Sequence, residues 1–173
     1  MTTEVMAAKR YIVGDAFKLI LELPDESLDL IITSPPYWGQ RTYGISHNWQ
    51  IYKIFKSRND SRESPPYELY RELGGVLGLE PIPEWYVCHL VEFFNLCKTK
   101  LKNKGSLCVN IGDTYFAIWA SIRDEGRQGL GNNSRIRRRT PMGRYLQEKQ
   151  LLLVPSRFAI AMQEKRWILR NDL

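Results

Sequence analysis

The chain has 173 residues, 43% apolar and 25% charged, with 25 Lys and Arg against 19 Asp and Glu for a formal charge of +6. That length suits one domain, and the composition excludes a disordered tail. No apolar run approaches the ~18 residues of a membrane span, and residues 1–10 lack the apolar stretch of a signal peptide, so the expectation is a cytoplasmic protein with no membrane partner.

Tyr11-Ile-Val13 before Gly14-Asp15 reads as a short buried strand ending in a turn. Phe17, Leu19, Ile20 and Leu23 give about two helical turns before Pro24 stops them. Leu28 to Thr33 is a second strand, β-branched and nearly continuous in apolar character, as strands covered on both faces tend to be. Strand, helix and strand in this order make a compact βαβ unit, so the fold class is α/β with a parallel sheet. Residues 40–80 form a long polar excursion whose aromatic residues (Tyr43, Trp49, Tyr52, Phe55, Tyr67, Tyr70) show no regular spacing. A clear helix follows, with Pro83 in its first turn and Val87, Leu90, Val91, Phe94, Cys97 and Leu101 on one stripe. Lys98, Lys100, Lys102 and Lys104 lie near its end, and Gly105 closes it. Ser106 to Ile111 is a third strand, ending at Gly112-Asp113, where Asp113 reads as structural rather than catalytic. Lys149 to Lys165 is a helix with Pro155 within it or restarting it, and Trp167 to Arg170 begins a fourth strand.

Three cysteines, Cys88, Cys97 and Cys108, form no C-x-x-C pair and read as reduced, mostly buried thiols. With only His47 and His89 beside them, no metal centre is expected. The positive charge is concentrated between Ser121 and Arg144, which hold seven arginines (Arg123, Arg127, Arg135, Arg137, Arg138, Arg139, Arg144) against Asp124 and Glu125. Rich in Gly, Asn and Ser, residues 121–148 read as a long basic loop. It is either a solvated loop or a segment that tracks nucleic-acid phosphates, the latter favoured because every base from Ser121 to Arg144 is arginine.

Ligands of open α/β sheets bind beyond the carboxyl ends of the strands. At one such end stand Ser34-Pro35-Pro36-Tyr37-Trp38. Neither proline has an N–H, so their carbonyls are expected to be free acceptors, and Pro35 forces Ser34 into an extended conformation. A stiff acceptor cluster flanked by two aromatic faces suits a planar group with an exocyclic amine. Such an amine is a poor nucleophile because its lone pair is delocalised into the ring. Acceptors that hold its N–H bonds out of the planar arrangement return electron density to nitrogen as charge develops.

The run from Val13 to Trp38 resembles the start of the amino-methylating DNA methyltransferases, in the circularly permuted (beta) class that places its catalytic motif near the N-terminus. Leu77-Gly-Leu-Glu-Pro81, Gly105 to Tyr115, and Leu152 to Gln163 through Trp167 to Asp172 resemble its later motifs in the same order. The resemblance implies a Rossmann-like methyltransferase fold, here an incomplete parallel sheet flanked by helices over residues 1–173. It implies double-stranded DNA as partner and S-adenosylmethionine as cofactor, with Asp15 contacting the cofactor's adenine end. An alternative for Asp15 is a turn carboxylate that accepts backbone N–H bonds. By the same resemblance, Ser34, Pro35, Pro36 and Tyr37 form the catalytic loop: Ser34 and the Pro35 carbonyl hold the amine, and Tyr37 stacks on a flipped base. Trp38, Arg135, Arg137, Arg138 and Arg139 are the candidate nucleic-acid contacts. Serine, where adenine-modifying relatives more often carry aspartate, favours cytosine N4 over adenine N6.

Relatives continue through further strands and a target-recognition region to a glycine-rich F-x-G-x-G loop that holds the methionine portion of the cofactor. Nothing in these 173 residues matches that loop. The expectation is therefore an N-terminal half, truncated or split, with little activity alone and a second polypeptide or C-terminal half as partner. Its Leu28–Thr33 strand would have an unpaired edge. The competing expectation is a non-catalytic nucleic-acid-binding remnant.

Overall fold

The computed structural model describes residues 11–56, 63–117, 119–123, 135–139 and 145–172. In chain order the elements are α1 (Ala16–Glu22), β1 (Leu28–Thr33), α2 (Ile51–Lys56), α3 (Tyr67–Glu72), α4 (Pro83–Lys100), β2 (Leu101–Val109), β3 (Trp119–Arg123), β4 (Arg135–Arg139) and α5 (Val154–Glu164). β1 and β2 pair in parallel, from Leu28 opposite Leu101 to Thr33 opposite Val109, with an irregularity between Leu28 and Leu30. A parallel pair needs a long crossover. Here it runs through α2, α3 and α4.

The core is built around α4. Its stripe of Val87, Leu90, Val91, Phe94 and Cys97 is buried as its spacing predicts, and Trp85, Tyr86 and His89 are buried as well. A helix covered on more than one face needs partners on more than one side. α5 supplies one through Phe158, whose ring centroid lies 5.5 Å from that of Phe94, and α1 another through Phe17, 4.8 Å from Phe93. The 40–80 excursion supplies the third: Ile51, Tyr70 and Leu79 are buried, and Tyr52 and Phe55 lie 6.1 and 5.6 Å from the Trp85 ring. Tyr52, Phe55 and Tyr70 thus share a target in space, the Trp85 ring, rather than a period along the chain.

Several expectations are corrected. Tyr11–Val13 is no strand and is exposed, and Trp167–Arg170 forms none either, with Ile168 83% exposed. A strand needs a ladder neighbour for its N–H and C=O groups, and among the described residues the parallel sheet holds only β1 and β2. The compact βαβ unit of residues 11–33 therefore does not form. The helix ends at Lys100, not Gly105, because Glu26 and Ser27 donate to the Thr99 and Lys100 carbonyls and draw the chain into β2. Lys102 accordingly lies in a strand, paired with Asp29 at 2.8 Å. β1 is covered on one face only: Ile31 packs on the core, while Leu30 and Ile32 are 49% and 73% exposed. Of the three thiols only Cys97 is buried, Cys108 lying opposite Ile32 on the open face.

The arginine-rich stretch is also more ordered than a loop. β3 and β4 form an antiparallel ladder with Trp119 opposite Arg139 and Arg123 opposite Arg135. A stem precedes it, in which Phe116 donates to the Gln150 carbonyl (2.8 Å) and Leu152 to that of Thr114 (3.0 Å). Residues 124–134 and 140–144 lie outside the described residues.

Candidate active site

The last rung of the parallel sheet is the Asn110 N–H donating to the Thr33 carbonyl at 2.9 Å. The chain then leaves the sheet at Ser34, which is exposed, whereas Pro35 is buried and Pro36 and Tyr37 are half-buried. The corner between them is held from three sides. From α4, the Tyr86 hydroxyl donates to the Pro36 carbonyl at 2.8 Å. Burial, reinforced by Glu80, Tyr37 and Tyr43, raises the Tyr86 phenol well above its ordinary range, so it stays a donor. From the second side comes the turn at Gly78, whose carbonyl accepts the Gly39 N–H at 2.7 Å. Gly78 has φ +87, and a Cβ there would lie 3.1 Å from the Pro36 carbonyl oxygen. Only glycine combines that conformation with that approach. The third side is Gly112 beyond β2, where a Cβ would come within 2.6 Å of the Tyr37 ring.

The Pro36 carbonyl is therefore not the free acceptor expected of it, because Tyr86 occupies it. Trp38 is corrected too. It is buried in the core, and its indole N–H donates to the Glu80 carbonyl at 2.9 Å, so it anchors the loop and offers no face to nucleic acid. Asp15 accepts the Phe17 N–H at 3.0 Å as the N-cap of α1 and forms an ion pair with Arg71. Asp113 accepts the Thr114 and Val154 N–H groups at 2.8 and 3.1 Å, the latter at the start of α5. Arg135, Arg137, Arg138 and Arg139 stand on β4.

Beside the corner lies a cavity of about 370 Å³, walled by Pro36, Tyr43, Ile45, Tyr67, Arg71 and Val76. Its size falls in the range of small-molecule sites. The Phe17 ring stacks behind Tyr67 at 3.9 Å. Desolvation, aided by the Glu80 and Asp15 charges, pushes the Tyr67 phenol up to about 12. Arg71 links the cavity to Asp15, so the corner and the predicted cofactor carboxylate meet at one apolar, aromatic-walled space. Tyr86, Gly78 and Arg71 escaped the reading of the sequence. The only signal there was the Leu77-Gly-Leu-Glu-Pro81 motif, which carries no indication of what it packs against.

The sequence profile of the DNA methylase family (N6_N4_Mtase) matches residues 28–173, from β1 through the corner, the Gly78 turn and α5. This chain belongs to that DNA methylase family. It is 34% identical over 164 residues to the Type II methyltransferase M.SmaI of Serratia marcescens, covering 95% of this chain and 46% of that protein. Against M.Cfr9I of Citrobacter freundii it is 32% identical over 160 residues, covering 92% and 43%. M.XycI of Xanthomonas campestris pv. cyanopsidis gives 31% identity with the same coverage. The chain thus spans less than half the length of these methylase relatives. No solved structure matches it. No helix among the described residues is long and apolar enough to cross a membrane.

Proposed function

We propose that this methylase chain supplies the base-holding part of an S-adenosylmethionine-dependent DNA methyltransferase that acts on the exocyclic amine of a flipped base, cytosine N4 in preference to adenine N6. The observation that carries the reading is the corner itself: Ser34 is exposed at the carboxyl end of β1 while the backbone behind it is clamped by Tyr86, Gly78 and Gly112. With the Pro36 carbonyl taken by Tyr86, the amine is left with the Ser34 hydroxyl and the Pro35 carbonyl. Two fixed acceptors hold its N–H bonds and turn its lone pair away from the ring. Tyr37, braced on Gly112, stacks on the extruded base and sets its plane. A serine acceptor adds no charge, which suits an amine that becomes acidic once methylated and passes its proton to water or to Ser34.

The cavity beside Pro36 fits the adenine end of the cofactor: its walls are aromatic and aliphatic, and the Asp15 carboxylate stands at Arg71 on its edge. S-adenosylmethionine would supply the electrophilic methyl group. The β3–β4 ladder, carrying Arg135, Arg137, Arg138 and Arg139, is proposed to follow the phosphates of double-stranded DNA. The open edge of β1 is proposed to pair with further strands, and the exposed Leu30 and Ile32 to be covered by a layer packed on that face, on a polypeptide that also carries the F-x-G-x-G loop.

The test is transfer of labelled methyl groups to duplex DNA, RNA and peptide in parallel, by the chain alone and with a polypeptide carrying that loop. Duplex DNA alone is expected to become labelled, as N4-methylcytosine, and only with both polypeptides present. Labelled adenine would overturn the base assignment, and full activity of the chain alone the need for completion. The Arg-rich ladder also supports a second reading, a nucleic-acid-binding remnant, for which no combination would transfer methyl groups.

A further inference from the structure

Behind the corner lies a polar cluster that the proposed methyl transfer does not use. Glu80 and His89 are each fully buried. Burying a carboxylate is unfavourable unless its oxygens are bonded, and those of Glu80 are: one accepts the Gly78 N–H at 2.8 Å, and the other lies 2.9 Å from His89 Nδ1. His89 Nε2 lies 2.8 Å from the Ser64 hydroxyl and 3.0 Å from the Pro65 carbonyl. The backbone carbonyl of Glu80 accepts the Trp38 indole N–H. One residue therefore joins four parts of the chain: the corner through Trp38, the turn through Gly78, α4 through His89, and the segment entering α3 through Ser64 and Pro65.

The connection to chemistry runs through Gly78. Its N–H is held by the Glu80 carboxylate, its carbonyl holds Gly39, and its Cα lies against the backs of Pro36 and Tyr37. An apolar residue would fill the space at position 80 but could not fix that N–H. We propose that Glu80, seated by His89, is a positioning residue for methyl transfer: it presses the Gly78 turn against the corner and so sets the Pro35 carbonyl and the Tyr37 ring. The inference rests on the base-holding function proposed above and deepens it.

Glu80→Leu, Glu80→Gln and Glu80→Asp test it in the full chain. Leucine removes both side-chain bonds. Glutamine keeps an acceptor for Gly78, and its amide donates to Nδ1 of the His89 tautomer whose Nε2–H faces Pro65. Aspartate is one methylene too short to reach both partners. In ¹⁵N spectra, with the Trp38 indole signal assigned by its loss in Trp38→Phe, Glu80→Leu is expected to shift that signal and to speed Gly39 amide exchange ~10-fold or more. Glu80→Gln is expected to stay near wild type, and Glu80→Asp, which carries the test if the leucine variant does not fold, to loosen Gly39 as well. In the complemented methyl-transfer assay, Glu80→Leu should lower kcat ~10-fold with KM for DNA within about twofold, and Glu80→Gln should restore most of it.

A folded Glu80→Leu or Glu80→Asp with wild-type exchange at Gly39 would overturn the proposal, as would a Glu80→Gln as damaging as leucine. Absence of methyl transfer by the wild-type pair would instead defeat the function on which it rests, and the spectra would still decide what Glu80 holds.

Discussion

The two faces of β1 differ sharply. On the inner face Ile31 meets the core, and beyond the strand's end the chain enters a corner fastened by Tyr86, Gly78 and Gly112. On the outer face Leu30 and Ile32 are exposed opposite Ser106 and Cys108, and Tyr11–Val13 and Ile168–Leu169 are exposed too. The same six-residue strand thus packs on the core by one face and leaves the other open. Among the described residues, the contacts that fasten the corner come from α4, the Gly78 turn and Gly112, and none comes from the outer face of β1.

The largest effect is expected on the core side. Phe94→Ala, at the centre of α4, should lower unfolding stability by ~3–5 kcal/mol in a urea titration, because a fully buried ring leaves a cavity between α4 and α5. An equally stable variant would show that the core lies elsewhere. Ser34→Ala sharpens the comparison from within the site. It should cut methyl transfer by the complemented chain ~10²–10³-fold, as loss of one transition-state hydrogen bond does, with DNA binding kept and stability within ~0.5 kcal/mol. Retained methylation would remove the corner from the chemistry.

The pH dependence reports the core side alone. Burial pushes the Cys97 thiol from its ordinary 9.0 up to about 11 and, with nearby charges, the Tyr67 phenol from 10.0 to about 12. Both groups ionise earlier in the unfolded chain than in the folded one. Stability from them is therefore complete below about pH 9 and lost as pH rises through 11 towards 12. Urea midpoints that stay flat across that window would contradict the burial of both groups. The smallest effect belongs to the open face. Ile32→Ser should change the stability of the chain alone by no more than ~0.5 kcal/mol, yet weaken pull-down of the completing polypeptide. Loss of stability in the chain alone would mean that Ile32 is already covered.

Much of the fold was legible where local pattern and packing agree. The α4 stripe from Val87 to Cys97 and the β1 run were read from spacing and composition, and both form the expected element, although α4 stops at Lys100 and β1 is open on one face. The misreadings share one cause. Tyr11–Val13 and Trp167–Arg170 have strand-like residues, but a strand exists only if a neighbour takes its hydrogen bonds. The 121–148 stretch has loop-like residues, yet the pairing of residues 114–116 with 149–152 draws its ends together, and β3 finds β4. Trp38 looked like an exposed plate because adjacency to the Ser-Pro-Pro-Tyr run says nothing of which way a ring turns.

The chain's order of residues was enough to mark the family and the corner, since Ser-Pro-Pro-Tyr after a β-branched run restricts its own backbone whatever surrounds it. Tertiary contact decided which proline carbonyl stays available, that Trp38 faces inward, and that Glu80 and His89 meet behind the loop. Those outcomes depend on groups 9 to 50 residues apart in sequence being brought within 3 Å, and no local preference encodes such a meeting.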